Sequence, residues 1–220
     1  RMKLSARRHA SAGYYNNRGT VMARHGDRRT AIAAYRDALA LKPDYVEAHN
    51  NLGDALREEG DYIAAMESCA RALELRPDYA QAWNNLGNAL KDHGSYEAAM
   101  KSYVKALRFA PDYAEVHNNL GNLFEKQDQL DAAIASYRRA IALQPADAAM
   151  HNNLGNVYLH LGQLEEAAAC YQRAVEIEPR LLQAQSNLGD VLTKLDRPEE
   201  GLACAQRVLA LDPNFPEGHL

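Results

Sequence analysis

Six prolines, Pro43, Pro77, Pro111, Pro145, Pro179 and Pro213, stand 34 residues apart. Six glycines, Gly19, Gly53, Gly87, Gly121, Gly155 and Gly189, keep the same interval. Two phased ladders do not arise by chance, so the chain folds as one unit used repeatedly. Setting these glycines at unit position 8 gives repeats 12–45, 46–79, 80–113, 114–147, 148–181 and 182–215. A unit of this size buries little core alone and depends on its neighbours for stability.

Each unit has a helical pattern. In 80–113, Trp83, Leu86, Gly87 and Leu90 form one stripe, followed by the breaker Gly94-Ser95. A second run carries Tyr96, Ala99, Tyr103, Ala106 and Leu107, and stops at Ala110-Pro111-Asp112. The spacing predicts a pair of helices with a short turn, repeated along an all-α chain. A glycine inside a helix costs roughly 1 kcal/mol relative to alanine. Close approach to a small residue on the partner helix offsets that cost. Position 20 supplies one in every unit: Ala31, Ala65, Ala99, Ala133, Ala167 and Gly201.

Glycine at 8, alanine at 20 and 27, and proline at 32 of a 34-residue unit resemble the tetratricopeptide repeat. The resemblance spans 12–215. It implies a right-handed superhelical solenoid, with first helices lining a concave groove and second helices on the convex side. Residues 1–11 read as the tail of a preceding helix or cap. Residues 216–220 read as the start of a further repeat or cap, so a fragment of a longer array is expected.

The first helices share a polar signature beyond these scaffold positions. Position 5 holds Asn16, Asn50, Asn84, Asn118 and Asn152, then Ser186. Position 6 holds Asn17, Asn51, Asn85, Asn119, Asn153 and Asn187. Position 9 holds Thr20, Asp54, Asn88, Asn122, Asn156 and Asp190. Positions 2, 5, 6 and 9 share one helical face, which by the family's geometry looks into the groove. Asparagine is a poor interior helix residue, at up to roughly 0.7 kcal/mol each, so these side chains need a reason. One is binding. A side-chain amide offers both donor and acceptor, matching the peptide main chain. With repeats about 10 Å apart, one asparagine meets about every third residue of an extended chain at ~3.3 Å per residue. The other is structural: the amides bond one another or adjacent helices in an inter-repeat polar seam. The two are compatible.

The phrase Asn-Asn-Leu-Gly-Asn at 84–88, 118–122 and 152–156 is similar to the repeat arm of O-GlcNAc transferases and their bacterial relatives. That resemblance implies an asparagine ladder holding substrate polypeptide in extended form. Repeat domains that clamp acidic chaperone C-termini carry Lys at position 5 and Arg at position 6 instead, and this chain does not. Its remaining groove charges, among them Arg24, Arg57, Glu58, Lys91, Asp92, Glu125, Lys126 and Lys194, are of mixed sign.

Composition sets limits on partners and chemistry. Residues 1–45 hold ten basic residues against three acidic ones, a balance of +7, and since the whole chain carries −4 the rest carries −11. The acidic bulk argues against nucleic acid as a partner. No run approaches the roughly 18 apolar residues of a membrane span. His49, His117 and His151 at position 4 read as packing residues, and Cys69, Cys170 and Cys204 as reduced core residues of a cytoplasmic protein. No nucleophile elbow, phosphate loop or metal motif occurs, so neither catalysis nor a cofactor is expected. Any catalytic domain, such as a glycosyltransferase, would lie outside these residues. The expected function is a protein-interaction module that binds extended polypeptide as the substrate or adaptor arm of a larger protein. The alternative is a scaffold that self-associates through its ends or convex face.

Overall fold

The computed structural model describes residues 11–215, and the expected segment 216–220 and almost all of 1–11 lie outside them. Twelve α-helices and no strand occur among the described residues. The chain divides into two compact units, 1–112 and 113–220.

The first unit contains α1 (Ala12–Arg24), α2 (Arg28–Leu41), α3 (Val46–Glu58), α4 (Tyr62–Leu75), α5 (Ala80–Asp92) and α6 (Tyr96–Phe109). The second contains α7 (Ala114–Lys126), α8 (Leu130–Leu143), α9 (Ala148–His160), α10 (Leu164–Ile177), α11 (Leu182–Lys194) and α12 (Pro198–Leu211). Odd-numbered helices are the first of each repeat and even-numbered helices the second. The two helices of a repeat pack most extensively on each other, and each second helix then packs on the next repeat within its unit.

Local chemistry sets the helix ends. Every first helix ends on a residue in the left-handed region: Gly26, Gly60, Gly94 and Gly162 in four repeats, Asp128 and Asp196 in the other two. At the first α3–α4 turn, Gly60 N donates to Arg57 O at 3.0 Å and Asp61 N to Leu56 O at 2.9 Å, consuming carbonyls that the helix end leaves open. The Asp61 side chain then accepts from Ala64 N and caps α4. An L-residue is strained in the left-handed region, less so for aspartate than for most. Asp196→Gly is therefore expected to stabilise the α11–α12 hairpin by about 0.5 kcal/mol, seen as a higher urea midpoint for loss of helical circular dichroism.

Second helices stop two residues before the repeated proline, whose ring and missing N–H forbid continuation. The proline carbonyl then takes a donor from position 4 of the following first helix. His49 Nε2 lies 2.8 Å from Pro43 O, and His151 Nε2 lies 3.0 Å from Pro145 O. Trp83 Nε1 donates to Pro77 O at 2.9 Å, and Gln185 Nε2 to Pro179 O at 3.3 Å. These side chains clamp the loop between repeats, which explains why position 4 favours residues with a nitrogen donor.

The core is built from small residues and tyrosine rings. Ala31, Ala65, Ala99, Ala133 and Ala167 at position 20 are fully buried, as are Ala38, Ala72, Ala106, Ala140 and Ala174 at position 27. What the glycines at position 8 face differs from the expectation in five of the six repeats; in the sixth, Gly189 does face position 20, with Gly201 O 3.2 Å from an added Cβ. A Cβ on Gly87 would lie 2.5 Å from Tyr103, on Gly121 2.6 Å from Tyr137, on Gly155 2.6 Å from Tyr171, and on Gly19 2.5 Å from Tyr35. In these four repeats the ring at position 24, not the alanine at position 20, occupies the space. In the second repeat the sulfur of Cys69 takes that place, 2.5 Å from a Cβ on Gly53. Burying a ring is worth about 2–3 kcal/mol, more than the roughly 1 kcal/mol that a helical glycine costs.

Candidate functional site

The asparagines at positions 5 and 6 join adjacent first helices. Asn51 Nδ2 donates to Asn16 Oδ1 at 3.0 Å and Asn85 Nδ2 to Asn50 Oδ1 at 3.0 Å in the first unit. In the second unit Asn153 Nδ2 donates to Asn118 Oδ1 at 3.1 Å, and Asn187 Nδ2 to Asn152 Oδ1 at 3.2 Å. Position 6 of one repeat thus donates to position 5 of the repeat before it. The acceptors Asn16, Asn50 and Asn152 are buried, and so is Asn84. A buried amide left without a partner costs about 1–3 kcal/mol, so each bond locks one repeat against the next.

The donors keep some capacity. Asn51, Asn85, Asn153 and Asn187 are half-buried, Asn17 is exposed and Asn119 is buried. In Asn85 and Asn153 the seam uses an amide N–H, and the Oδ1 has no hydrogen-bond partner among the described residues. The seam therefore fixes the orientation of position-6 amides while leaving acceptor oxygens at two of them.

Position 9 has a role within the repeat. Tyr103 Oη donates to Asn88 Oδ1 at 2.7 Å and Tyr171 Oη to Asn156 Oδ1 at 2.8 Å. Tyr137 Oη lies 2.6 Å from Asn122 Oδ1 and 2.9 Å from Glu125 Oε2, with one proton to share between them. Burial first, then the neighbouring Glu125, pushes the Tyr137 hydroxyl far above its usual range, so it stays protonated. Asn156 also accepts from Asn187 Nδ2 at 3.2 Å, tying this pairing to the seam. Sequence reasoning missed the tyrosine partner, although a signal was present. Position 9 is Asn or Thr wherever position 24 is tyrosine, and Asp where position 24 is Cys69 or Ala205.

Charges near this face are largely committed to one another. Arg57 reaches Asp54 at 3.1 Å and Asp92 at 3.0 Å, the latter bond crossing from the second repeat to the third. Arg28 pairs with Glu58 at 2.9 Å and Arg29 with Glu59 at 3.1 Å, both between the first two repeats. The Arg28 and Arg29 pairs are exposed and worth at most about 1 kcal/mol each. The thiols are unreactive by placement: burial pushes Cys69 up to about 12 and Cys170 up to about 11, well above neutral pH. Among the described residues no helix is long and apolar enough to cross a membrane.

Hairpins of this length, stacked through glycine–ring contacts and closed by a proline loop, invite comparison with known proteins. The family model for the C-terminal tetratricopeptide-repeat (TPR) domain of cilia and flagella-associated protein 70 matches residues 3–212. The chain belongs to this family. No curated protein matches it in sequence. Among solved structures, PilW, a widely conserved type IV pilus biogenesis factor, superposes with a TM-score of 0.83 at 22% identity, over 94% of this chain and 96% of that one. PilF of Pseudomonas aeruginosa superposes with a TM-score of 0.79 at 18% identity, over 94% of both chains. YrrB, described as a TPR protein with an unusual peptide-binding site, gives 0.61 at 22% identity, over 84% of this chain and 95% of that one. At these identities the likeness establishes the TPR fold, which generally serves as a non-catalytic interaction module.

Proposed function

We propose that this TPR chain holds extended polypeptide along its first helices, with the position-6 asparagines contacting the peptide main chain. The observation that carries the reading is the division of labour between positions 5 and 6. Position 5 supplies buried acceptors at Asn16, Asn50 and Asn152 and a half-buried one at Asn118, and the bonds it receives aim the position-6 amides. An amide held at one N–H retains a second N–H, and the Oδ1 of Asn85 and Asn153 stands open to a main-chain donor. The position-9 amides Asn88, Asn122 and Asn156 enter this reading as a flank of the site that also steadies the tyrosine core. The peptide-binding site named for YrrB is consistent with such use of the fold. The likeness of the Asn-Asn-Leu-Gly-Asn phrase to O-GlcNAc transferase arms supports a role as the substrate or adaptor arm of a larger cytoplasmic protein.

The test compares two quadruple variants on one peptide array. Asn51→Ala, Asn85→Ala, Asn119→Ala and Asn153→Ala remove position 6, while Asn16→Ala, Asn50→Ala, Asn118→Ala and Asn152→Ala remove position 5. Both break seam bonds, but only the first removes the contacting amides. The position-6 variant is expected to lose peptide capture by about tenfold or more, equivalent to about 1.4 kcal/mol, with helical circular dichroism retained. The position-5 variant keeps the contacting amides but loses the bonds that aim them, so it is expected to lose less capture than the position-6 variant and to melt earlier. Equal capture by wild type and the position-6 variant refutes the reading.

A further inference from the structure

The loop clamp at position 4 is built differently in the third and sixth repeats. In the third, the indole of Trp83 packs against the cluster of Ala72, Leu73 and Ala82. Its N–H donates to Pro77 O at 2.9 Å, and Lys105 Nζ sits 4.1 Å from the ring centroid. In the sixth repeat Gln185 stands at the Trp83 position, Pro179 at that of Pro77, and Arg207 at that of Lys105. Gln185 supplies the N–H to Pro179 O at 3.3 Å, but it has no ring. Beside Gln185 lies a cavity of about 460 Å³ lined by Val175, Pro179, Gln185, Arg207, Ala210 and Leu211.

A second observation marks this cavity. Gln185 is 2% exposed, and its Oε1 has no hydrogen-bond partner among the described residues. Because its Nε2 is pinned to Pro179 O, reversing the amide would only place oxygen against oxygen. An acceptor buried in this way favours a ligand that brings an N–H or O–H. The rest of the wall is apolar, with one guanidinium at the rim. In the third repeat, where Arg108 and Phe109 stand in place of Ala210 and Leu211, the corresponding position takes an aromatic ring with a donor, beneath a cation.

We propose that the sixth-repeat cavity is a docking slot for a tryptophan or tyrosine side chain of a partner polypeptide. The ring lies on Val175, Pro179, Ala210 and Leu211, and Arg207 covers its face as Lys105 covers Trp83. The ring donor is directed to Gln185 Oε1. The volume accommodates an indole or phenol, since ordinary ligand pockets begin near about 300 Å³. None of these residues belongs to the asparagine row, so the slot adds a side-chain preference to a surface otherwise proposed to read main chain, and it stands or falls separately.

The experiment titrates the whole chain with N-acetyl-tryptophanamide, following the ¹³C-methyl resonances of Val175 and Leu211. Saturable shifts in the millimolar range are expected with this probe and not with N-acetyl-leucinamide. Arg207→Ala, a substitution at an exposed residue, is expected to weaken binding about two- to fivefold, the size of an exposed cation–π contact. Gln185→Trp recreates the third-repeat arrangement and is expected to abolish the shifts while raising the melting temperature. Absence of saturable shifts, equal response to the leucine probe, or undiminished binding in a folded Gln185→Trp chain overturns the proposal. Should Gln185→Trp not fold, undiminished binding in Arg207→Ala overturns it instead.

Discussion

Gly121→Ala is expected to destabilise the second unit by about 2 kcal/mol, although alanine is the better helix former. The added Cβ would stand 2.6 Å from Cδ1 and Cε1 of Tyr137 and 2.8 Å from its Cζ. That ring is fully buried, and its hydroxyl is held by Asn122 and Glu125, so it has no room to swing aside. Overpacking of this kind costs about 1–3 kcal/mol or more, against roughly 1 kcal/mol gained in helix propensity. Clashes this close put the balance on the destabilising side. Urea unfolding followed by circular dichroism measures it. Tyr137→Ala supplies the control: in the double variant the clash is gone, so Gly121→Ala adds no further loss, and the two changes are strongly non-additive. Additive losses would mean that the glycine answers to something other than the ring.

A glycine-to-alanine change at position 20 of the sixth repeat runs against the repeat's own consensus. Alanine stands at position 20 in five repeats and Gly201 in the sixth. Matching the majority commonly stabilises a repeat, yet Gly201→Ala is expected to destabilise by about 1–2 kcal/mol. A Cβ there would lie 2.6 Å from Thr193 Oγ1 and 2.9 Å from Gly189 O. Thr193 occupies position 12, where the other repeats carry Ala, Arg, Lys, Glu or Leu. Its hydroxyl turns back to donate to Gly189 O at 2.9 Å, into the space that an alanine at 201 would need. Thr193→Ala removes one of the two clashes, so Gly201→Ala is expected to cost less in that background. A stabilising Gly201→Ala in the native background would show that the helices part more easily than this packing allows.

Much of the fold was legible because repetition is a strong signal. The phase of Gly19 through Gly189 and of Pro43 through Pro213 set the helix pairs and their ends. The partner of the glycines was not, because periodicity shows which residues recur but not which of two nearby inward positions meets them. Ala133 and Tyr137 are one turn apart on α8, and only the packed structure places the ring against Gly121. The asparagine row was legible as a pattern, while its hydrogen bonding was not. Asn50 and Asn51 differ by one place in sequence, yet one is a buried acceptor and the other a half-buried donor to the repeat before it. The pairing of position 9 with position 24 was written in the chain as a joint variation among six repeats, and is readable once the tyrosine bond is known.

The central claim is that position-6 amides contact the main chain of a bound polypeptide rather than its side chains. The most direct measurement takes a peptide captured by this chain and compares it with a depsipeptide analogue, in which every third backbone amide is an ester, and with sequence-scrambled versions. An ester removes a main-chain donor and leaves every side chain in place. The account predicts that the ester analogue binds about tenfold more weakly, or about 1.4 kcal/mol, and that scrambled peptides sharing its aromatic residue bind nearly as well as the original. Full binding by the ester analogue, with binding lost on scrambling, would contradict it.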